Sequence, residues 1–86
     1  MNTDDQELLR SNLGDRIKTL RKKRDLSIRQ FALLAEIEHP QLVNIEKGRV
    51  DLKLSTLNKI ARGFEIDLMS LFDFSELANK DEKKRK

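Results

Sequence analysis

The stretch Ser27–Gly48, SIRQFALLAEIEHPQLVNIEKG, constrains the fold most, because its pattern is typical of two short helices joined by a tight turn. Ser27 and Gln30 form a capping box, in which each side chain accepts a hydrogen bond from the backbone amide of the other residue. A helix is therefore predicted to begin at Ile28. Its apolar positions recur at helical spacing. They are Phe31, Ala32 and Ala35, with Leu34 beside them.

The second helix of this stretch is located by a proline. Pro40 lacks an amide donor and suits only the first turn of a helix. A break is therefore predicted between Ala35 and His39, followed by a helix from about His39 to Lys47. Gly48 then supplies a left-handed helix stop.

One narrow face of this second helix is apolar, because Leu42 and Ile45 lie three residues apart, with Glu46 at the margin. The rest of its surface is free to contact a partner and carries an amide pair, a basic end and a valine. Such a set suits base edges and phosphates in the major groove of DNA. It comprises His39, Pro40, Gln41, Val43, Asn44 and Lys47.

The location of charge is more informative than its total. The net charge is +3 at pH 7, but residues 1–79 hold equal numbers of basic and acidic side chains, so the excess comes from residues 80–86. Two clusters are basic, and the first fits either a phosphate-binding patch or a solvated helix face. The first is Arg16, Lys18, Arg21, Lys22, Lys23 and Arg24, and the second is Lys47, Arg49 and Lys53.

Composition excludes several classes of function. The 86 residues suffice for one small domain, and they include no cysteine and one histidine, His39. Disulfides and thiolate metal sites are therefore excluded, and neither an enzyme activity nor a cofactor is predicted. No apolar run has membrane-spanning length, and the acidic start MNTDDQELLR is unlike a signal peptide. A cytoplasmic protein that does not bind membranes is predicted.

A long helix is predicted over about residues 5–24, with Asp4 as its cap. Gly14 weakens it by about 1 kcal/mol relative to alanine, so a helix that begins near Asn12 behind an arm is the alternative. Asp25 suits a left-handed turn after the helix. The core positions of this helix are Leu9, Leu13, Ile17 and Leu20.

Two more helices are predicted after the second basic cluster. Ser55 caps a helix over about residues 56–63, and Asp67 caps another over residues 68–74, with an extension to residue 77 as the alternative. The apolar side chains of this region either complete the core or in part form a dimer contact. They are Phe64, Ile66, Leu68, Met69, Leu71, Phe72 and Phe74.

A series of residues in a particular order and spacing extends over most of the chain. It comprises Leu13, Arg16, Ile17, Leu20, Arg21, Leu26, Ser27, Phe31, Ala32, the run Leu42–Gly48, Leu57, Ile60, Ala61, Ile66, Leu71 and Phe72. From about Leu13 to Phe74 the sequence thus resembles the helix-turn-helix family of the lambda repressor, Cro and xenobiotic-response-element regulators. The resemblance implies an all-α, five-helix DNA-binding domain over residues 12–76, with the helix-turn-helix motif at about residues 28–47. Residues 1–11 would form a helical extension or arm, and residues 77–86 a mobile basic tail.

Some positions depart from the pattern of that family. Glu36 replaces the glycine that is usual in the turn, Glu38 replaces a capping serine or threonine, and Ile28 replaces a glutamine that often contacts phosphate. These departures bear on the DNA contacts at those positions and not on the fold. The resemblance also implies that Arg21 pairs with Glu46 and so fastens the recognition helix to the scaffold.

The function implied is that of a sequence-specific transcriptional regulator, a repressor or autoregulator, that binds double-stranded DNA as a homodimer. A protein-interaction module, a restriction-modification controller and an antitoxin are the alternatives. The expected base-reading residues are His39, Pro40, Gln41, Val43 and Asn44, and the expected phosphate contacts are Arg29, Lys47, Arg49, Lys53, Ser55 and Thr56. The candidate dimer contacts are Leu68, Met69, Leu71, Phe72 and Phe74.

Overall fold

Five α-helices follow one another along the described part of the chain. The computed structural model describes residues 3–77, and no strand is formed within that range. The all-α class and the five helices predicted from the sequence are confirmed. The helices are α1 (Thr3–Lys23), α2 (Ile28–Ala35), α3 (His39–Glu46), α4 (Leu54–Phe64) and α5 (Leu68–Leu71).

α1 is longer than predicted, because it continues through Gly14 without a break and already includes Thr3. Asp4 consequently lies inside the helix and not at its N-cap position, and the alternative start near Asn12 is wrong. Leu9 is 41% exposed, so the buried stripe begins one turn later than predicted. The buried apolar residues of α1 are Leu13, Ile17 and Leu20.

The helix-turn-helix stretch has the predicted boundaries to within one residue. Ser27 Oγ accepts a hydrogen bond from the Gln30 amide at 3.0 Å, and Gln30 Oε1 accepts one from the Ser27 amide at 2.8 Å, which confirms the capping box. Glu36 ends α2 in the left-handed conformation, with φ 59°. α3 ends one residue earlier than predicted, and Gly48 follows it with φ 71°.

α4 begins two residues earlier than predicted. Lys53 occupies the N-cap position, and its carbonyl accepts the first helical bond, from the Leu57 amide at 3.0 Å. Ser55 therefore lies within the first turn, and its prediction as the cap is wrong. No side chain caps this helix, so its true start carries no capping signal in the sequence. At its other end Glu65 has φ 59° and terminates the helix.

α5 is capped as predicted but is shorter. Asp67 Oδ1 accepts a hydrogen bond from the Ser70 amide at 2.8 Å. The helix ends at Leu71, because Phe72 leaves the helical conformation with φ −93° and ψ 10°. Residues 75–77 are helical again, and the predicted tail from residue 78 onward lies outside the described residues.

Most of the apolar residues near α5 complete the core. Phe64 and Leu71 are fully buried, so the expectation that Leu71 is a dimer contact is wrong. Two side chains remain at the surface, since Met69 is 83% exposed and Phe72 is 38% exposed. The partly buried members that pack against the core are Ile66, Leu68 and Phe74.

All five helices contribute to the core, and α3 supplies Leu42 and Ile45 to it. Phe31 of α2 and Phe64 of α4 are stacked, with ring centroids 3.9 Å apart and an interplanar angle of 14°. At Gly14, α1 passes so close to α3 that an added Cβ would lie 2.6 Å from the carbonyl oxygens of Ile45 and Glu46. The end of α3 is therefore seated on the backbone of α1.

Candidate nucleic-acid interface

α3 presents one face to the core and the rest of its surface to solvent. Leu42 and Ile45 are buried, as the apolar spacing predicted. Pro40 lies in the first turn, and Glu38 takes the N-cap position without a side-chain hydrogen bond to the helix. The side chains of His39, Pro40 and Gln41 are exposed, and those of Val43 and Asn44 are half-buried.

A buried ion pair anchors the C-terminal end of α3. Arg21 Nε lies 2.7 Å from Glu46 Oε2, and Arg21 Nη2 lies 2.9 Å from Glu46 Oε1. Arg21 Nη1 also donates to the carbonyl of Leu26 at 2.8 Å. The structure thus brings together the two residues that the resemblance paired, and the one guanidinium joins α1, the α1–α2 turn and α3.

The loop of residues 47–53, which connects α3 to α4, carries three exposed basic side chains: Lys47, Arg49 and Lys53. Arg49 Nη1 lies 3.4 Å from Asn44 Oδ1, a long hydrogen bond at the protein surface. The loop therefore places a cation directly beside one of the candidate base-reading amides.

A groove between α3 and α4 brings candidate base-reading residues and candidate phosphate-binding residues together. Its lining includes Gln41 from α3, Asp51 and Lys53 from the α3–α4 loop, and Ser55 and Thr56 from the first turn of α4. Ser55 is exposed, but Thr56 is only 9% exposed, so its hydroxyl is hardly accessible to a phosphate. Its expected phosphate contact therefore reduces to its backbone amide at the helix N-terminus. Arg29 is exposed in the first turn of α2 and does not line this groove.

Three acidic side chains lie in the segments on either side of α3. Glu36 and Glu38 are exposed in the α2–α3 turn, as expected from their sequence positions. Asp51 lies in the α3–α4 loop, and its Oδ1 is 2.9 Å from Nη1 of Arg10. This ion pair is not predictable from the sequence, because no local pattern connects two residues 41 positions apart.

The basic cluster at the end of α1 is used largely within the protein. Arg16 donates to the Ser70 carbonyl at 3.0 Å and to Glu76 at 3.2 Å, and Lys23 also pairs with Glu76. The hydrogen bond from Lys23 and the nearby charge of Arg16 lower the pKa of the Glu76 carboxyl. Arg24 donates to the Phe64 carbonyl and lies over the Phe64 ring. These contacts hold α4 and the C-terminal segment onto α1, so the three side chains do not support a phosphate-binding patch. Lys18 and Lys22 of the same cluster are exposed.

Residues 3–77 contain neither a metal-binding cluster nor a membrane-spanning helix. No cluster of histidine, aspartate and glutamate side chains there could hold a metal ion. In the same range no helix is long and apolar enough to cross a membrane.

Comparisons with known proteins place this architecture in a known family. A family model described as a helix-turn-helix domain matches residues 14–74. The chain is 35% identical over 65 residues to the control protein C.MunI of Mycoplasma sp., across 74% of this chain and 88% of that protein. It is 33% identical over 61 residues to the HTH-type transcriptional regulator DdrOP3 of Deinococcus deserti, across 71% of this chain and 47% of that protein.

A solved structure also has a similar fold, which matches most of this chain. The crystal structure of a transcriptional regulator of the HTH_3 family from Vibrio cholerae has a TM-score of 0.75 and 32% sequence identity. The match covers 86% of this chain and 43% of that one. The chain therefore spans less than half of DdrOP3 and of the Vibrio cholerae regulator, and most of C.MunI.

Proposed function

The chain belongs to the lambda repressor-like helix-turn-helix family of DNA-binding transcriptional regulators, and from this premise we propose that α3 enters the major groove. The observation that carries the proposal is the asymmetry of α3. Leu42 and Ile45 are buried, Glu46 is held by Arg21, and the remaining polar side chains face away from the core. A helix fastened in this way can present a fixed set of side chains to base edges.

The proposed base-reading residues lie on the free surface of α3. Gln41 and Asn44 carry amides, which can accept from N6 and donate to N7 of adenine. Val43 can contact the methyl group of thymine, and His39 and Pro40 lie in the turn that enters the groove first. The exposed Gln41 lines the same groove as the start of α4, which supports a role next to the phosphate contacts.

The proposed phosphate contacts surround that face. They are the side chains of Arg29, Lys47, Arg49, Lys53 and Ser55, and the backbone amides of Ser55 and Thr56 at the N-terminus of α4. Phosphate contacts fix the position of the protein on the duplex but carry no sequence information themselves. Removal of one such cation should therefore weaken binding to all sequences alike.

Homodimerisation is the second part of the proposal. Met69 and Phe72 are exposed, with Leu68 and Phe74 partly buried nearby in sequence, and together they offer an apolar surface at α5. A twofold dimer would present two copies of α3 to half-sites about one helical turn apart. Sedimentation velocity should show a dimer that Met69→Lys shifts to monomer, whereas Lys18→Glu on the exposed face of α1 should leave it unchanged.

The control-protein class is the regulator that the comparisons favour among the alternatives left by the sequence. The similarity to C.MunI spans most of both chains, whereas DdrOP3 is matched over less than half its length. We propose that the protein acts in the cytoplasm and that DNA upstream of its own gene is one of its targets. Titration of that fragment beside the selected site tests the second expectation.

Selection from random duplex DNA, with the winner titrated at several salt concentrations, tests the proposal. An enriched palindrome with a steep salt dependence is the expected result. Asn44→Ala should lose about 1–3 kcal/mol on the selected site and relax the preference at one base pair, whereas Arg49→Ala should weaken all sequences and flatten the salt slope. If Asn44→Ala binds the selected site as well as the wild type does, the assignment of the reading face is wrong.

A further inference from the structure

The first turns of α1 lie outside the part of the chain that matches the family, which begins at residue 14. They nevertheless contact the loop that follows α3. An added Cβ on Gly48 would lie 3.0 Å from the Cα of Ser11, so the loop backbone rests directly on α1. One residue earlier, Arg10 reaches Asp51 in the same loop at 2.9 Å. Two independent contacts thus connect this extension to residues 47–53.

Asp51 is an unfavourable residue for its place in the proposed DNA interface. It lies between Arg49 and Lys53, both proposed to bind phosphate, and its side chain is 85% exposed. A free carboxylate there would repel the phosphates that its neighbours attract. It pairs with Arg10, whose side chain is only 22% exposed and is therefore held largely against the protein.

We propose that Arg10 is a positioning residue for DNA binding, which holds the Asp51 carboxylate toward α1 and keeps the α3–α4 loop open to phosphate. Arg10 acts through Asp51 and contacts no phosphate itself. The inference rests on the proposed function, since it assumes that this loop faces DNA. It gives the N-terminal extension, which the family match does not include, a part in that function.

The expected loss of affinity in Arg10→Ala follows from the charge of Asp51, which would lose its ion-pair partner. One unit charge about 4 Å from another is worth about 1 kcal/mol in water, which corresponds to about a fivefold change in affinity. Arg10→Ala should therefore weaken DNA binding about fivefold at low salt, with a smaller effect at high salt because the repulsion is screened. Its melting temperature should change little, because Asp51 is largely exposed and such pairs contribute little to stability.

A double-mutant cycle on the selected DNA site tests the inference. Arg10→Ala, Asp51→Ala and the double variant are titrated in parallel with Arg49→Ala. Once Asp51 is absent, removal of Arg10 should change affinity less than twofold, so the double variant should recover the binding that Arg10→Ala loses. Lys18→Ala, which removes an exposed cation from the same helix, is the matched charge control and should bind as the wild type does.

Each other result overturns the inference in a recognisable way. An equal loss on removal of Arg10 with and without Asp51 would show that Arg10 contacts DNA directly. A loss of similar size in Lys18→Ala would reduce the effect to total charge. If Arg49→Ala weakens binding and Arg10→Ala does not, the inference fails while the proposed function stands. If neither variant weakens binding, the loop is not part of the interface and both fail.

Discussion

Glu46→Ala should destabilise the protein far more than its single hydrogen-bonded partner would suggest. The side chains of Arg21 and Glu46 are only 8% and 5% exposed, so neither charge is well solvated in the folded state. Loss of one member of such a buried pair leaves the other charge uncompensated, which typically costs about 3–5 kcal/mol. A chain of 86 residues has a total stability of roughly 4–13 kcal/mol, so the substitution removes a large part of it.

The cost of an unpaired charge does not mean that the intact pair stabilises the fold. A second variant separates these two effects. Replacement of both charges, as in Arg21→Met with Glu46→Leu, removes the unpaired charge together with the desolvation cost. Such replacements are commonly neutral or stabilising. The Arg21 guanidinium also donates to the Leu26 carbonyl, so the double variant should lose part of the order at the α1–α2 turn. It should nevertheless be clearly more stable than Glu46→Ala.

Urea denaturation followed by far-ultraviolet circular dichroism measures these differences at one fixed protein concentration. Glu38→Ala is the matched control, because it removes the same side chain from the other end of α3, where it makes no capping bond. A change of about 0.5 kcal/mol or less is expected for it. A loss below about 1 kcal/mol in Glu46→Ala, with an unchanged denaturant slope, would refute the argument that this pair anchors α3.

Two further predictions concern the scaffold. Gly14→Ala should gain about 1 kcal/mol of helix propensity but lose about 1–3 kcal/mol to overpacking. The net destabilisation, up to about 2 kcal/mol, should appear in the same urea assay, because the added methyl meets the α3 carbonyls at 2.6 Å. Hydrogen bonds from the Ser70 backbone amide and, second, from the Ser70 side chain lower the pKa of Asp67. The Asp67 cap therefore stabilises the folded protein fully above the unfolded-state pKa of about 3.9. This stabilisation is lost as the pH falls through the lower pKa of the folded state. Asp67→Asn, which still caps the helix, should melt near the wild-type temperature at about pH 7, and its melting temperature should fall less on acidification. An equal fall in both proteins would contradict this prediction.

The ends of helices were predictable where a side chain marks them. The Ser27 capping box, Pro40 in a first turn and the Asp67 cap each act within four residues, so the sequence carries the complete signal. The start of α4 was misplaced, because Lys53 caps it through the backbone alone while Ser55 offered a misleading hydroxyl. α5 proved short because Phe72 leaves the helix, and nothing local announces that change.

In the candidate interface, too, local features were predictable from the sequence and contacts between distant segments were not. The free face of α3 followed from the spacing of Leu42 and Ile45, because helical periodicity is a local property. The Arg10–Asp51 pair and the contacts of Arg16 with the C-terminal segment were missed, since each depends on how distant segments pack. Charge clusters are therefore poor guides to function until the partners of their members are known.

Glu36 and Gly14 show that local sequence rules can misjudge a position in two opposite ways. Glu36 takes the left-handed conformation that usually favours glycine, at a cost of about 1–2 kcal/mol, and the turn is still formed. Gly14 has an ordinary helical backbone and lowers helix propensity, yet an added Cβ there would lie 2.6 Å from two carbonyl oxygens of α3. The strained backbone angle of Glu36 is accommodated within the turn itself, whereas a methyl group at Gly14 would require α1 and α3 to move apart. The position of α3 relative to α1 therefore depends on a glycine that helix propensity alone would count as unfavourable.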